Sequence, residues 1–238
     1  MSKEWTRRSL IGCSLSGMVL ARTALGDVPL PPDWLVDRRL PDESTRLALT
    51  QAYLDAHLPE AMVGTVDPAA MRPELVVLHW TGSGSAEGAF QTFAPARLGG
   101  RPELQGAGAL NVGAHFIVHR DGACWQILDE RRVARHVIGL NHCAIGIENV
   151  GDGPVGGATK APLTPVQVDR NVALVRALVA RHPSIRWLIG HHEYRKMEST
   201  ALFSERDPGY RTTKVDPGDA FMAAVRSRLT DLGLSAPG

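Results

Sequence analysis

Three short apolar runs constrain the fold most: ELVVLHW (74–80), AIGIENV (144–150) and IRWLIGHH (185–192). Each has the length of a strand, and the first carries adjacent valines, so each reads as a strand buried in a sheet. AHFIVHRDGACWQIL (114–128) adds a hairpin built as strand, Asp-Gly turn, strand. TPVQVDRNVALVRALVARHP (164–183) is a helix: Thr164 can cap it and Pro165 sits in its first turn. Val168, Val172, Val175, Leu178 and Val179 give it one apolar face. DESTRLALTQAYLDAHL (42–58) and DPGDAFMAAVRSRL (216–229) read as further helices, and GGRPELQGAGALNVG (99–113) as a long surface loop. The expected fold is a single α/β domain with a central mixed β-sheet flanked by helices.

The N-terminus has a different grammar. Lys3, Arg7 and Arg8 precede an apolar run, Leu10 to Ala21, and a small-residue stretch, TALGD. This is the layout of an export signal over residues 1–26, and the paired arginines point to the twin-arginine route. The run is too short and polar for a membrane span. LIGC at Cys13 leaves no room for an apolar core after Arg8, which argues against lipidation. Residues 1–26 carry a surplus of +3 and the whole chain is +1, so residues 27–238 are left at −2. Such a balance gives no reason to expect nucleic acid. Residues 27–72 are expected to form an arm with one helix, its proline-rich start (27–41) a tether or loosely docked segment. An exported domain would permit a Cys124–Cys143 bridge, and two reduced, buried thiols remain the alternative.

The chain has nine histidines. His79 and His191 each end an apolar strand, where a rigid sheet can hold a reactive group beside substrate-admitting loops. Asp216 lies in TKVDPG (213–218), beside Lys214. Two histidines and a carboxylate are a common catalytic zinc set. Taken singly, each residue also fits a structural histidine, a helix cap or a solvated surface turn.

Five segments in order break that tie: VVLHWT (76–81), GAHFIVHRDG (113–122), ARHVIGLNHCAIGIENVG (134–151), IGHHE (189–193) and TKVDPG. Together they resemble the type 2 N-acetylmuramoyl-L-alanine amidases, the family of AmpD-like enzymes, phage lysozyme-type amidases and peptidoglycan recognition proteins. The resemblance implies the peptidoglycan recognition protein-like amidase fold over residues 73–232 and one zinc ion held by His79, His191 and Asp216. It implies Glu148 as catalytic acid/base, Lys214 as the cation over the developing oxyanion, and His136, Trp80 and Asn149 as substrate-binding positions. It also implies peptidoglycan or muropeptides as partners, in the periplasm or cell envelope. Ala114, Glu148 and Asp216 place the chain nearer the AmpD-like branch. The mixed-charge, aromatic stretch 194–212 departs from compact relatives and reads as an insertion walling the groove. His192, His115, His119 and His142 are expected to be structural. Two other readings stay open: a peptidoglycan-binding module without catalysis, against which the retained ligand set and Glu148 argue, and a zinc hydrolase cutting another stem-peptide amide.

Overall fold

The structure is a computed structural model that describes residues 34–82, 84–152 and 161–238. The expected export signal, residues 1–26, lies outside the described residues. One sheet contains β1 (Leu35–Asp37), β2 (Leu75–Trp80), β3 (Phe116–Val118), β4 (Cys124–Gln126), β5 (Ala144–Asn149) and β6 (Trp187–Gly190). Their spatial order is β1-β4-β3-β5-β2-β6. The β3–β4 hairpin is antiparallel and the other pairings are parallel, which makes the sheet mixed. The helices are α1 (Glu43–His57), α2 (Ala86–Phe93), α3 (Pro102–Gln105), α4 (Pro165–Arg181) and α5 (Asp219–Arg226).

Alternation along β2 decides what each face of the sheet does. Val76 and Leu78 enter a core completed by Val172, Val175 and Leu178 of α4 and Met222 and Val225 of α5. Leu75 and Val77 turn the other way, toward Val137, Leu140, Tyr194 and Met197. His79 is in phase with this second pair, so it leaves the sheet on the face opposite α4 and α5. Removing a buried side chain such as Leu178 leaves a cavity worth about 2–5 kcal/mol.

Helix α4 starts where the sequence places it. Thr164 Oγ1 accepts from Gln167 N, while the Gln167 side chain accepts from Thr164 N, a reciprocal cap. The Gln167 amide then donates to the carbonyls of Val118 and Val150, tying the helix start to the ends of β3 and β5. This fixes the strand ends beside which the candidate site lies.

Four features differ from the expectation. The proline-rich start of the arm contributes β1, which pairs with β4, and Arg38 N and Leu40 N continue the ladder to Gln126 O and Ile127 O. Residues 35–40 are therefore stitched to the sheet edge and are no tether. Helix α1 buries Arg46, Thr50, Tyr53 and His57 along with Leu54, so its inner face is largely polar. The glycine-rich stretch 99–113 holds the short helix α3. After β6 the chain enters a 3-10 helix, His191–Ser199, so His191 begins a helical turn and the expected insertion starts inside it.

Cys124 and Cys143 are both free and buried, in separate core clusters. Burial pushes both thiols up, that of Cys124 to about 12. They behave as small core hydrophobes rather than a bridge. No helix among the described residues is long and apolar enough to cross a membrane.

Candidate active site

His79, His191 and Asp216 come together at the C-terminal end of the central strands, all three buried. They arrive from β2, from the 3-10 helix after β6, and from the loop before α5. His79 Nδ1 lies 3.0 Å from His191 Nδ1 and 3.2 Å from Asp216 Oδ2, and His191 Nδ1 lies 3.1 Å from that oxygen. The three donor atoms thus form a nearly equilateral triangle. Donors on a tetrahedral zinc at about 2.0–2.1 Å would sit about 3.3 Å apart. The triangle has nearly that size, and two imidazoles with one carboxylate suit a borderline divalent ion. The donor set therefore fits the expected metal.

The charge balance agrees. Burial pushes the Asp216 carboxyl up, but neighbouring His191 and His79 outweigh it and hold it well below the usual carboxylate range. Burial lowers His191 to about 4, against the opposing pull of Asp216. At neutral pH the cluster is one carboxylate with uncharged imidazole at His191, the form in which such groups bind metal. His192 keeps the loop in place, since its N–H donates to Asp216 O and its Nδ1 lies 3.0 Å from the same carbonyl.

Glu148 lies beside this cluster. Its side chain is half-buried at the groove; burial first and the Asp216 charge second raise its carboxyl well above the ordinary glutamate value, opposed by Lys214 and Arg101. Among the described residues its buried Oε2 has no hydrogen-bond partner. A buried, unpaired carboxyl oxygen is rare in folded proteins and common where a proton has to move. Lys214 and Glu148 line one groove with the three cluster residues.

That groove has a volume of about 290 Å³. Trp80 and His136 line it. His136 also packs edge-on to His79, and burial first, then His79, holds its imidazole well below the usual value. Asn149 requires a correction. It is fully buried and its side-chain amide donates to His79 O and accepts from Asn171 of α4. One residue beyond Glu148 on a strand, it faces the opposite side of the sheet and braces the His79 backbone instead of touching the groove.

The stretch 194–212 supplies Tyr210 and Thr212 to the groove wall. Arg101, Leu104 and Arg135 also line it and were not anticipated. Arg135 is buried beneath the wall and donates to the carbonyls of Leu104, Gly108 and Leu110 and to Tyr210 Oη. Its position next to His136 in ARHVIG is the signal that could have drawn attention to it.

Fold and cluster together define a mixed α/β domain bearing a two-histidine, one-aspartate site of the kind that holds a catalytic metal. Residues 69–219, more than half of the chain, match the family N-acetylmuramoyl-L-alanine amidase, and the chain belongs to that family. Over 86 residues it is 38% identical to the endolysin of Escherichia phage T7, a match covering 36% of this chain and 56% of that protein. The chain thus spans about half the length of the curated relatives it matches. Similar solved structures include the endolysin amidase LysCS of Clostridium intestinale URNW, at 20% identity and TM-score 0.46 over 69% of this chain and 86% of that one. The E. coli amidase AmiD, solved with anhydro-N-acetylmuramic acid-L-Ala-D-γ-Glu-L-Lys, aligns at 20% identity and TM-score 0.47 over 76% and 67% of the two chains.

Proposed function

We propose that the chain is a zinc-dependent N-acetylmuramoyl-L-alanine amidase. It would hydrolyse the amide between the lactyl group of N-acetylmuramic acid and L-alanine of the peptidoglycan stem peptide, in cell-wall turnover or cell separation. Family membership supports the substrate class. The observation that carries the reading is the donor triangle, with sides of 3.0–3.2 Å, sharing one groove with the unpartnered carboxyl oxygen of Glu148.

His79, His191 and Asp216 would hold a zinc ion, which would supply Lewis acidity toward the scissile carbonyl. The remaining work belongs to side chains. Glu148 takes a proton from the attacking water as its oxygen bonds to the carbonyl carbon. The carbon–nitrogen bond then breaks and Glu148 delivers that proton to the L-alanine nitrogen. A carboxyl with a raised affinity for protons suits the second half of this exchange, and a nearby cation draws it back toward ionisation for the first. Lys214 supports the negative charge that builds on the carbonyl oxygen. Trp80, His136 and the 194–212 wall hold the sugar and peptide against these groups.

The remaining assignments follow the sequence. Residues 1–26 direct export to the periplasm or cell envelope, residues 27–72 form the arm, and residues 73–232 form the amidase domain with the insertion 194–212. The test is a digest of purified peptidoglycan, with and without chelator, read by mass spectrometry. Stem peptides with a free L-alanine amine, lost with chelator and regained with zinc, are the expected products. Cleavage at another amide would overturn the bond assignment, and binding without cleavage by zinc-loaded protein would favour a recognition module.

A further inference from the structure

His79 has a second ring nitrogen, and its surroundings determine how the first one is presented. His136 Nε2 lies 3.2 Å from the Ala144 carbonyl, which can only accept, so that nitrogen carries the proton. His136 Nδ1 lies 3.0 Å from His79 Nε2, and two N–H groups cannot face each other at that distance. Ala144 O takes the one N–H of a neutral ring, so His136 Nδ1 faces His79 with its lone pair. His79 Nε2 is then the donor. A neutral His79 protonated on Nε2 has its lone pair on Nδ1, the atom that meets His191 Nδ1 and Asp216 Oδ2.

The relay continues away from the site. His136 N and Val137 N both donate to Asn141 Oδ1, at 2.9 and 2.8 Å. Asn141 Nδ2 donates to Tyr53 Oη at 3.0 Å, and Tyr53 is a fully enclosed residue of α1. The His136 ring seats against β5 because residue 146 is glycine: a Cβ there would lie 2.8–2.9 Å from the ring. Helix α1 precedes the segment that matches the family, residues 69–219.

We propose that His136 is a positioning residue that fixes the tautomer of His79, and that the arm helix α1 holds it there through Tyr53 and Asn141. This rests on the reading that His79, His191 and Asp216 hold a metal. Its consequence is that the affinity of the site is set partly from outside the family domain. Partners of metal-bound histidines typically contribute about 10–100-fold to affinity.

The first test needs no metal. Long-range proton–nitrogen NMR spectra of the metal-free full chain identify the protonated nitrogen of each histidine. We expect His79 and His136 both protonated on Nε2; a His79 protonated on Nδ1 would overturn the relay. The second is zinc affinity by competition with a chromogenic chelator. His136→Phe should bind zinc about 10–100-fold more weakly. His136→Asn, whose amide oxygen can take the place of Nδ1, should recover most of that loss, and Tyr53→Phe should show a smaller loss. Wild-type affinity in His136→Phe would reduce His136 to a groove-lining residue and leave the metal site standing. Wild-type protein that binds no zinc would overturn the metal reading itself, independently of the tautomer measured by NMR.

Discussion

His79 of β2 and Glu148 of β5 are register partners on adjacent parallel strands, so their side chains leave the same face of the sheet in the same row. This pairing sets a donor nitrogen and a half-buried acid side by side without any loop having to be ordered. Glu148→Gln keeps the shape and removes the transferable proton. It should lower kcat by about 10²–10⁴. The melting temperature should hold or rise, because an unpartnered buried carboxyl is costly to the fold. Steady-state kinetics and a thermal melt on the same preparation decide this. Wild-type turnover would remove Glu148 from the mechanism.

His115 predicts an acid limit on stability that is separate from the donor cluster. Its Nδ1 accepts from Gly146 N and its Nε2 donates to Arg132 O, so both nitrogens are committed in the neutral ring. Burial lowers its pKa from 6.5 to about 4. Between those values the unfolded chain holds a proton that the folded chain does not, so stability falls as pH drops from 6.5 toward 4 and is flat outside that window. The full contribution is about 3 kcal/mol. Urea melts at pH 7 and pH 4.5 should show a pH-dependent loss in the wild type that is smaller in His115→Asn. An equal loss in both would place the acid sensitivity elsewhere.

The parts legible in the sequence were those with local causes. Thr164, Pro165 and the valines of α4 specify a helix within one segment, and the apolar run at 75–80 specifies a buried strand. The strand β1 was not legible, because Leu35–Asp37 is only three residues long and is held by pairing to β4, whose residues lie about ninety positions away. The inner face of α1 was missed for the same reason: Tyr53 and His57 are buried against Asn141, Ala107 and Glu205, partners that a helical period cannot reveal. His79 and His191 are 112 residues apart, so no spacing rule could have joined them, and it was the order of five motifs that did so. Asn149 was misread although its signal was present, since the period of two along β5 turns it away from Glu148.

Metal removal should cost stability as well as activity. The three donors span β2, the turn after β6 and the loop before α5, so an ion that binds only the folded arrangement stabilises all three junctions. Free zinc at one hundred times its dissociation constant should add about 2.7 kcal/mol. For a chain of this size that is about 2–4 °C in melting temperature for each kcal/mol. Asp216→Asn should abolish the zinc-dependent increment. A wild-type melt unchanged by chelator and by added zinc would count against the donor triangle as a metal site.

Arg135 tests how the groove wall is held. Its guanidinium reaches four acceptors, the carbonyls of Leu104, Gly108 and Leu110 and the hydroxyl of Tyr210, and its charge lies 5.3 Å from the Tyr53 ring and 5.8 Å from that of Tyr210. One side chain thus ties the 104–110 loop, the 194–212 stretch and the arm helix to the same point. Lysine keeps the charge but offers three donors from a single atom and cannot span those acceptors. Arg135→Lys should therefore destabilise the fold by about 2–4 kcal/mol, through carbonyls left unpaired in a buried place. Because Arg135 lines the groove without touching the donor cluster, KM for muropeptide should rise more than kcat falls. Michaelis–Menten kinetics beside a denaturant melt separates these effects. A loss confined to kcat would move Arg135 from the wall to the reaction itself, and wild-type values in both measurements would show that the wall is held by its remaining contacts.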